Sequence, residues 1–225
     1  MTKRFRNEID KIKKMVLTLG AKIEDRVHRA TSAISPCDAE VAALLIKQDQ
    51  EIDQAEVEIE EECLKLLALY QPVAVDLRFL IAVIKITNDM ERIGDQAVNI
   101  AQRILTMSKD TLNGHKFFFD YTQMIEKVEY MLKSSLDALV NLDIDTAIQV
   151  CQMDDAVDQI KSDAYNSIKK TMKENPEQLS YLINFFLISR HLERLADHCT
   201  NISEEVIYMI EGEIVRHGAA KKREE

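Results

Sequence analysis

The chain is poor in residues that interrupt helices. Its 225 residues include only 5 glycines and 3 prolines, and tryptophan is absent. Because glycine and proline have the lowest helix propensities, their scarcity leaves few breaks in regular structure. Alanine, leucine, glutamate and lysine, which favour helices, are abundant instead. The composition predicts an all-α fold of long helices, and the length is sufficient for a sizeable buried core.

Basic residues are also in the minority. Lysine and arginine number 29 against 39 aspartates and glutamates, which gives a formal net charge of −10 at pH 7. Nucleic acid is therefore not an expected partner, because binding its phosphates requires a basic surface. An acidic protein instead suits cations or basic protein surfaces.

The cysteines and the apolar runs exclude further classes of protein. The 4 cysteines are too far apart in sequence for a CxxC pair, so neither a zinc site nor a disulfide framework is expected. The N-terminus lacks the apolar region of a signal peptide. The longest apolar stretches, such as FLIAVI at 79–84, are too short to span a bilayer. We therefore expect a cytoplasmic protein without a membrane span.

Six helices follow from the spacing of apolar residues and from the few breaks. Ser35 is the predicted N-cap of the second helix, with Pro36 at its first position and Asp38 in its first turn. Pro72 and Pro176 are the predicted breaks after the second and fifth helices. Residues 108–116 are predicted to form a loop, because they are polar and contain Asn-Gly. The predicted helices are 3–34, 36–69, 74–107, 117–141, 144–173 and 178–211.

The two halves of the chain repeat one another. A shift of 102 residues aligns NDMERIGDQAVNIA (88–101) with RHLERLADHCTNIS (190–203), and each holds Glu-Arg-x-x-Asp followed by Asn-Ile. Acidic pairs on the preceding helices also correspond, at a shift of 105 residues. This is the pattern of a duplication rather than of a short-period solenoid. We predict two pseudo-symmetric three-helix bundles, residues 1–110 and 115–215, followed by a flexible tail at 216–225.

The repeated acids do not lie on a plain solvent face. At about 100° per residue, an apolar stripe of the third helix that passes through Ile84 continues to Glu91 and Asp95. Glu193 and Asp197 occupy the same places in the sixth helix. Each pair is spaced i, i+4, so its two carboxylates point the same way and repel each other. A positive group is therefore expected beside each pair.

Further acidic pairs on the second and fifth helices predict metal sites. If these helices pack antiparallel to the following ones, four carboxylates meet in each repeat. All-oxygen sites of this kind favour hard ions such as Mg²⁺, Mn²⁺, Ca²⁺ or iron. In the alternative without metal, Arg92 and Arg194 pair with acids of a neighbouring helix. The predicted metal ligands are Asp49, Asp53, Glu91 and Asp95 in the first repeat and Asp154, Asp158, Glu193 and Asp197 in the second.

Three motifs together resemble the PhoU family, the regulatory proteins of bacterial phosphate uptake. They are PVAVDLR (72–78), NDMERIGDQAVNIA (88–101) and HLERLADHCTNI (191–202). The resemblance covers nearly the whole chain and implies a cytoplasmic protein of two three-helix bundles, often a homodimer. It also implies a role in restraining the phosphate-starvation response, with the ATPase of the phosphate ABC transporter and a sensor histidine kinase as partners. Metal clusters on the acidic motifs of some members imply iron, manganese, magnesium or zinc here.

One departure from the repeat predicts a contact made by the first half alone. The first repeat has Pro-x-x-x-Asp-Leu-Arg, whereas the second has Pro-Glu-Gln-Leu-Ser-Tyr at the matching place. Asp76 and Arg78 are therefore predicted to bind a partner, and Arg92 and Arg194 are further predicted partner-binding residues.

No catalytic residues are expected. The sequence contains no Gly-rich phosphate loop, no nucleophile elbow and no apparent Ser-His-Asp set. A non-enzymatic regulatory adaptor is therefore the predicted function, with a metal-free helical adaptor as the alternative. A metal-dependent carboxylate-bridged enzyme is less favoured, because none of the 5 histidines has a glutamate three residues before it.

Overall fold

Helices account for most of the described chain. A computed structural model describes residues 3–109 and 119–215. Its helices are α1 (Lys3–Ser32), α2 (Ala39–Lys47), α3 (Gln50–Tyr70), α4 (Val75–Met107), α5 (Thr122–Asn141), α6 (Ile144–Glu174) and α7 (Leu179–Glu211), with a 3₁₀ turn at Pro176–Gln178. No strand occurs within these residues. The predicted all-α fold of six long helices is confirmed, and α2 is an additional short helix.

The single second helix predicted for 36–69 is wrong. The chain turns at 33–37, and Asp38 rather than Ser35 is the N-cap of α2. Its Oδ1 accepts hydrogen bonds from the backbone N–H groups of Glu40 and Val41. Pro36 therefore lies in the turn before the cap and not inside the helix. α2 ends at Lys47 and α3 begins at Gln50, so the predicted helix is interrupted between these two residues.

Some other predicted boundaries have different outcomes. One is confirmed, one differs from the structure, and others lie wholly or partly outside the described residues. α3 ends just before Gln71, which has a left-handed conformation (φ 44), and Pro72 follows as predicted. The fourth predicted helix starts later than 117, because Asp120 accepts hydrogen bonds from the N–H and the hydroxyl of Thr122 at the start of α5. Most of the predicted loop at 108–116 and the predicted flexible tail at 216–225 lie outside the described residues.

The helices pack as two groups that share one core. α1 to α4 pack together in the first half, α5 to α7 in the second, and α4 packs along α7 between them. α1 also contacts α5. The buried apolar residues of both halves form a single continuous cluster. The predicted limits of the two repeats stay predictions, because the core does not divide between them.

Polar pairs across α4 and α7 reveal the pseudo-symmetry of the two halves. Their residue numbers rise along α4 as they fall along α7, so the helices are antiparallel. The shift of 102 residues converts Asp89–His198 into His191–Gln96, and both hydrogen bonds are present, at 2.8 and 3.0 Å. The two long helices of the repeats therefore face each other about a pseudo-twofold axis. Pairs between α4 and α7 include Lys85–Glu205, Asp89–His198, Asp89–Asn201, Gln96–His191 and Arg103–Asn184.

Close packing at Gly94 holds α4 against its neighbours. A Cβ added there would lie 3.1 Å from Cδ1 of Ile52 on α3 and 3.4 Å from Cδ1 of Ile23 on α1. The matching residue of the second half is Ala196. The Cβ of Ala196 is thus accommodated in the second half, whereas in the first half an added Cβ would crowd Ile52.

We expect Gly94→Val to destabilise the protein by about 2 kcal/mol, because the added methyl groups overpack the core between α1 and α3. Gly94→Ala should change the stability by less than about 1 kcal/mol, since its gain in helix propensity offsets the tight contact with Ile52. Urea unfolding of both variants tests this prediction. Equal midpoints for the wild type and Gly94→Val would contradict it.

Candidate functional site

The first acidic cluster comprises Asp49, Asp53, Glu91 and Asp95, where α3 begins beside the middle of α4. One carboxylate oxygen each from Asp49, Asp53 and Asp95 lies within 4.8 Å of the others. This trio is the one group of metal-compatible side chains that meets this criterion among residues 3–109 and 119–215. Glu91 lies one turn before Asp95, and its Oε2 is 3.5 Å from Nε of its neighbour Arg92. The structure thus brings three of the four predicted ligands together.

Partial burial disfavours the ionised form of three carboxylates in this cluster. Partial burial raises the pKa of Asp49 above its ordinary value, and the charge of Asp53 adds to the rise. Burial likewise raises the pKa of Glu91, with Asp95 as the next cause. The pKa of Asp95 is also raised by burial, against the opposing charge of Arg92. A bound cation would relieve both the repulsion and the lost hydration.

The main cation of this cluster is Arg26 of α1, which was not predicted from the sequence. Its side chain is only 7% exposed, and its Nη1 lies 3.2 Å from Oδ1 of Asp49. The guanidinium also donates to the backbone carbonyl oxygens of Gln48 and Asp49 at the break between α2 and α3. Arg26 lies three residues after Ile23, on the buried face of α1. An arginine at such a position in the sequence indicates a partly buried cation. Arg92, by contrast, is exposed and pairs with Glu91 of its own helix.

The second acidic cluster, Asp154, Asp158, Glu193 and Asp197, includes a cation of its own. Lys161 of α6 forms an ion pair with Glu193, and its Nζ lies 3.9 Å from Oδ1 of Asp158. The hydrogen bond to Glu193 raises the pKa of Lys161. The predicted partner Arg194 is exposed.

The two clusters are therefore not equivalent. The shift of 105 residues that aligns their aspartates aligns Lys161 with Glu56, so an amine stands in one repeat where a carboxylate stands in the other. The second cluster is partly neutralised from α6. The first depends on Arg26 from α1, which leaves Asp53 and Asp95 for a further cation. The opposite charges of Glu56 and Lys161 at matching positions could have indicated this difference from the sequence.

An open acidic cleft runs beside α4 and α7 between the two clusters. Its volume is about 780 Å³. Among the described residues, Lys85 is the one cation in its lining, and its Nζ donates to Oε1 of Glu205 at 2.9 Å. A surface of this charge repels a free phosphate ion and attracts cations. The carboxylates that line it are Glu56, Glu60, Asp89, Asp154, Asp197, Glu204 and Glu205.

His198 is engaged at the edge of this cleft. Its Nδ1 lies 2.8 Å from Oδ1 of Asp89, and Nδ2 of Asn201 donates to the same oxygen at 3.1 Å. The imidazole thus joins α7 to α4.

Asp76 and Arg78 lie well away from both clusters. They belong to the first turn of α4, and the helical rise puts Asp76 about 28 Å along the axis from Asp95. The Arg78 guanidinium packs under Gly212 at the end of α7, where an added Cβ would lie 3.3 Å from its Cζ. These two residues therefore belong to a separate surface.

Asp197 gives the second cluster a pH dependence that can be measured. Burial raises its pKa to about 6, followed by the charges of Glu193, Asp154 and Asp158. Because the folded-state pKa is raised, folding favours the protonated acid. Its stabilising effect is lost as the pH rises from the unfolded value through about 6. The side chain still faces solvent, so the effect is smaller than for a fully buried group.

We expect Asp197→Asn, measured in chelator, to raise the urea midpoint at about pH 8 and leave it unchanged near about pH 4. The amide removes the ionised form that the cluster disfavours. Asp163→Asn on α6, outside the cluster, is the control and should show no such pH-dependent gain. An equal gain for Asp197→Asn at both pH values would contradict the electrostatic cause.

Comparison with known proteins agrees with this architecture. The family model of the PhoU domain matches residues 16–104 and again residues 121–206. A protein named phosphate-specific transport system accessory protein PhoU homolog from Pseudomonas aeruginosa is 33% identical over 226 residues, covering 100% of this chain and 93% of the relative. Its namesake from Clostridium acetobutylicum is 34% identical over 212 residues, covering 94% of this chain and 96% of the relative.

Solved structures show the same fold. The crystal structure of PhoU from Pseudomonas aeruginosa has a TM-score of 0.87 at 33% identity and covers 93% of this chain and 100% of its own. The phosphate transport system regulatory protein PhoU from Streptococcus pneumoniae has a TM-score of 0.83 at 30% identity, covering 95% and 100%. The two matches of the family model, one in each half, support the predicted duplication. The chain belongs to the PhoU family.

Proposed function

We propose that this chain regulates phosphate uptake and restrains the phosphate-starvation response. It acts as a cytoplasmic adaptor between the ATPase of the phosphate ABC transporter and a sensor histidine kinase. The observation that carries this proposal is the full-length similarity to proteins named as accessory or regulatory components of phosphate transport. Within the described residues, every helix is too short or too polar to cross a bilayer.

The proposed metal site is the trio of Asp49, Asp53 and Asp95, with Glu91 close enough along α4 to join it. The donors are all carboxylate oxygens, which suit magnesium, manganese or iron better than zinc, since zinc in proteins favours nitrogen and sulfur ligands. A bound ion would offset the repulsion that Arg26 only partly relieves. The second cluster should bind metal more weakly, because Lys161 already pairs with Glu193.

The burial of the cysteines supports a binding role rather than catalysis by a thiol. All 4 are buried, and burial raises the pKa of Cys63 to about 12. Such thiols are poor nucleophiles at neutral pH. The acidic trio also contains no histidine, unlike the carboxylate-bridged oxidases built on helix bundles. The metal-free adaptor remains the second candidate, and it is favoured by the pairing of Arg26 with Asp49.

A reporter of a phosphate-starvation promoter tests the regulatory role. A strain that lacks this chain should express the reporter at high phosphate, and the wild-type gene supplied in trans should restore repression. Normal repression at high phosphate without the chain would overturn the proposal. Analytical ultracentrifugation of the purified protein tests the expected homodimer separately.

A further inference from the structure

An apolar groove lies at the N-terminal end of α4, away from the acidic trio beside the middle of that helix. It forms where α4 begins, where α5 and α7 end, and where α1 passes beside them. Its volume is about 450 Å³, within the range of specific binding pockets. Its walls include Val16, Leu17, Val75, Phe79, Val140 and Met209.

Several of these apolar side chains are open to solvent. Leu17 is 49% exposed, Val75 61% and Val140 53%. They come from α1, α4 and α5, so several helices together form the exposed apolar surface. Contiguous exposed apolar surface on an otherwise charged protein marks a place where a partner packs.

The charges in this groove differ from those of the rest of the chain. Arg78 and Lys13 line it, and Asp76 is the one acid that the described part of the chain places there, whereas the net charge of the chain is −10. Nε of Arg78 is buried and has no hydrogen-bond partner among the described residues. Nζ of Lys13 sits 5.6 Å from the centre of the Phe79 ring. A carboxylate entering the groove would meet two cations, Arg78 and Lys13.

The charged residues that line the groove belong to the first repeat alone. The matching stretch of the second repeat, Pro-Glu-Gln-Leu-Ser-Tyr, has neither the aspartate nor the arginine. The acidic clusters, by contrast, recur in both halves. The groove therefore gives an adaptor a docking point that differs in charge from its acidic clusters.

We propose that this groove binds an amphipathic segment of a partner protein, whose apolar side chains fill the groove while a carboxylate pairs with Arg78 and Lys13. This inference rests on the proposed adaptor function and deepens it by giving the adaptor a contact surface and its partner a recognisable chemistry. Neither basic segments nor metal ions suit the groove, because its cations repel them.

Matched substitutions of exposed leucines test the groove. Leu17→Glu puts an acid in the groove and pairs it with Lys13 one turn earlier on α1. Leu64→Glu is the control, since Leu64 is 51% exposed on α3 and does not line the groove. Leu17→Lys removes the same apolar side chain but adds a cation. Circular dichroism should show that all three variants remain folded.

Binding is measured with the purified ATPase of the phosphate transporter and with the cytoplasmic region of the sensor kinase. We expect Leu17→Glu to weaken binding to one of them by about tenfold or more, as for a central interface residue. Leu17→Lys should weaken it less, because an added cation still attracts the partner's carboxylate. Leu64→Glu should leave the affinity within about twofold of wild type.

The other outcomes separate the groove from the adaptor function. If the wild type binds a partner and Leu17→Glu binds it equally well, the groove proposal is overturned and the adaptor function stands. If the wild type binds neither protein, both are overturned. If Leu17→Glu abolishes self-association in sedimentation while partner binding is unchanged, the occupant is a second copy of this chain and the partner proposal is overturned. Native mass spectrometry could also find a small apolar acid bound to the wild type and not to Leu17→Glu. That result would likewise overturn the partner proposal.

Discussion

Replacement of Arg26 by methionine is expected to destabilise the metal-free protein by about 2 to 3 kcal/mol. The substitution keeps much of the apolar volume and removes the charge. It leaves Asp49 facing Asp53 and Asp95 without its nearest cation, and it removes the donors that satisfy the carbonyl oxygens of Gln48 and Asp49. The value stays below that for a fully buried pair, because the Asp49 side chain is 38% exposed. Urea unfolding in the presence of chelator measures it.

The pH dependence of this variant has a defined sign. The pKa of Asp49 is already raised in the wild type, with Arg26 acting against the rise. Without Arg26 the pKa of Asp49 should rise further. Folding then favours the protonated carboxyl group, so the stability lost in the variant should recover as the pH falls through the raised pKa of Asp49. Arg29→Met, which removes a more exposed arginine of the same helix, should cost less than about 1 kcal/mol. Equal losses for the two variants, with no pH dependence, would contradict the electrostatic role of Arg26.

Asp53→Asn combined with Asp95→Asn is expected to abolish metal binding at the first cluster, with the affinity for Mn²⁺ falling about 100-fold or more. Hard ions are held by ligand charge, and this change removes two of the three negative charges of the trio. The metal-free variant should also be more stable than the metal-free wild type, since carboxylate repulsion is gone. Elemental mass spectrometry and calorimetric titration with Mn²⁺ measure the first effect, and urea unfolding in chelator the second.

Asp154→Asn combined with Asp158→Asn is the matched control in the second cluster. It should reduce the bound metal less, because Lys161 already weakens that site. In the wild type, Mn²⁺ should raise the melting temperature through preferential binding to the folded state, and the first double variant should lose this rise. Unchanged metal content in the first double variant would show that the trio is not the ligand set. Absence of metal from the wild type itself would favour the metal-free adaptor.

Much of the fold was accessible from sequence because helical patterns are local. The apolar spacing and the few breaks predicted five of the six long helices closely. The repeated Glu-Arg-x-x-Asp motif predicted the duplication that the two family matches support. The second helix was predicted as one piece because Gln48 and Asp49 carry no strong helix-breaking signal. The break there is stabilised by Arg26, which lies 23 residues away and belongs to another helix.

The same distinction applies to the candidate site. The sequence by itself determined which acids share a helix face, because residues spaced i, i+4 must point the same way. It also determined that the acids recur in both halves. Only the tertiary structure decided that Asp49, Asp53 and Asp95 meet, with Glu91 beside them. It also decided that Arg26 and Lys161 are the counter-charges, and that exposed apolar residues of several helices line one groove. The reason is physical: helix periodicity fixes directions within a helix, whereas the register and spacing between packed helices depend on the side chains of all of them together.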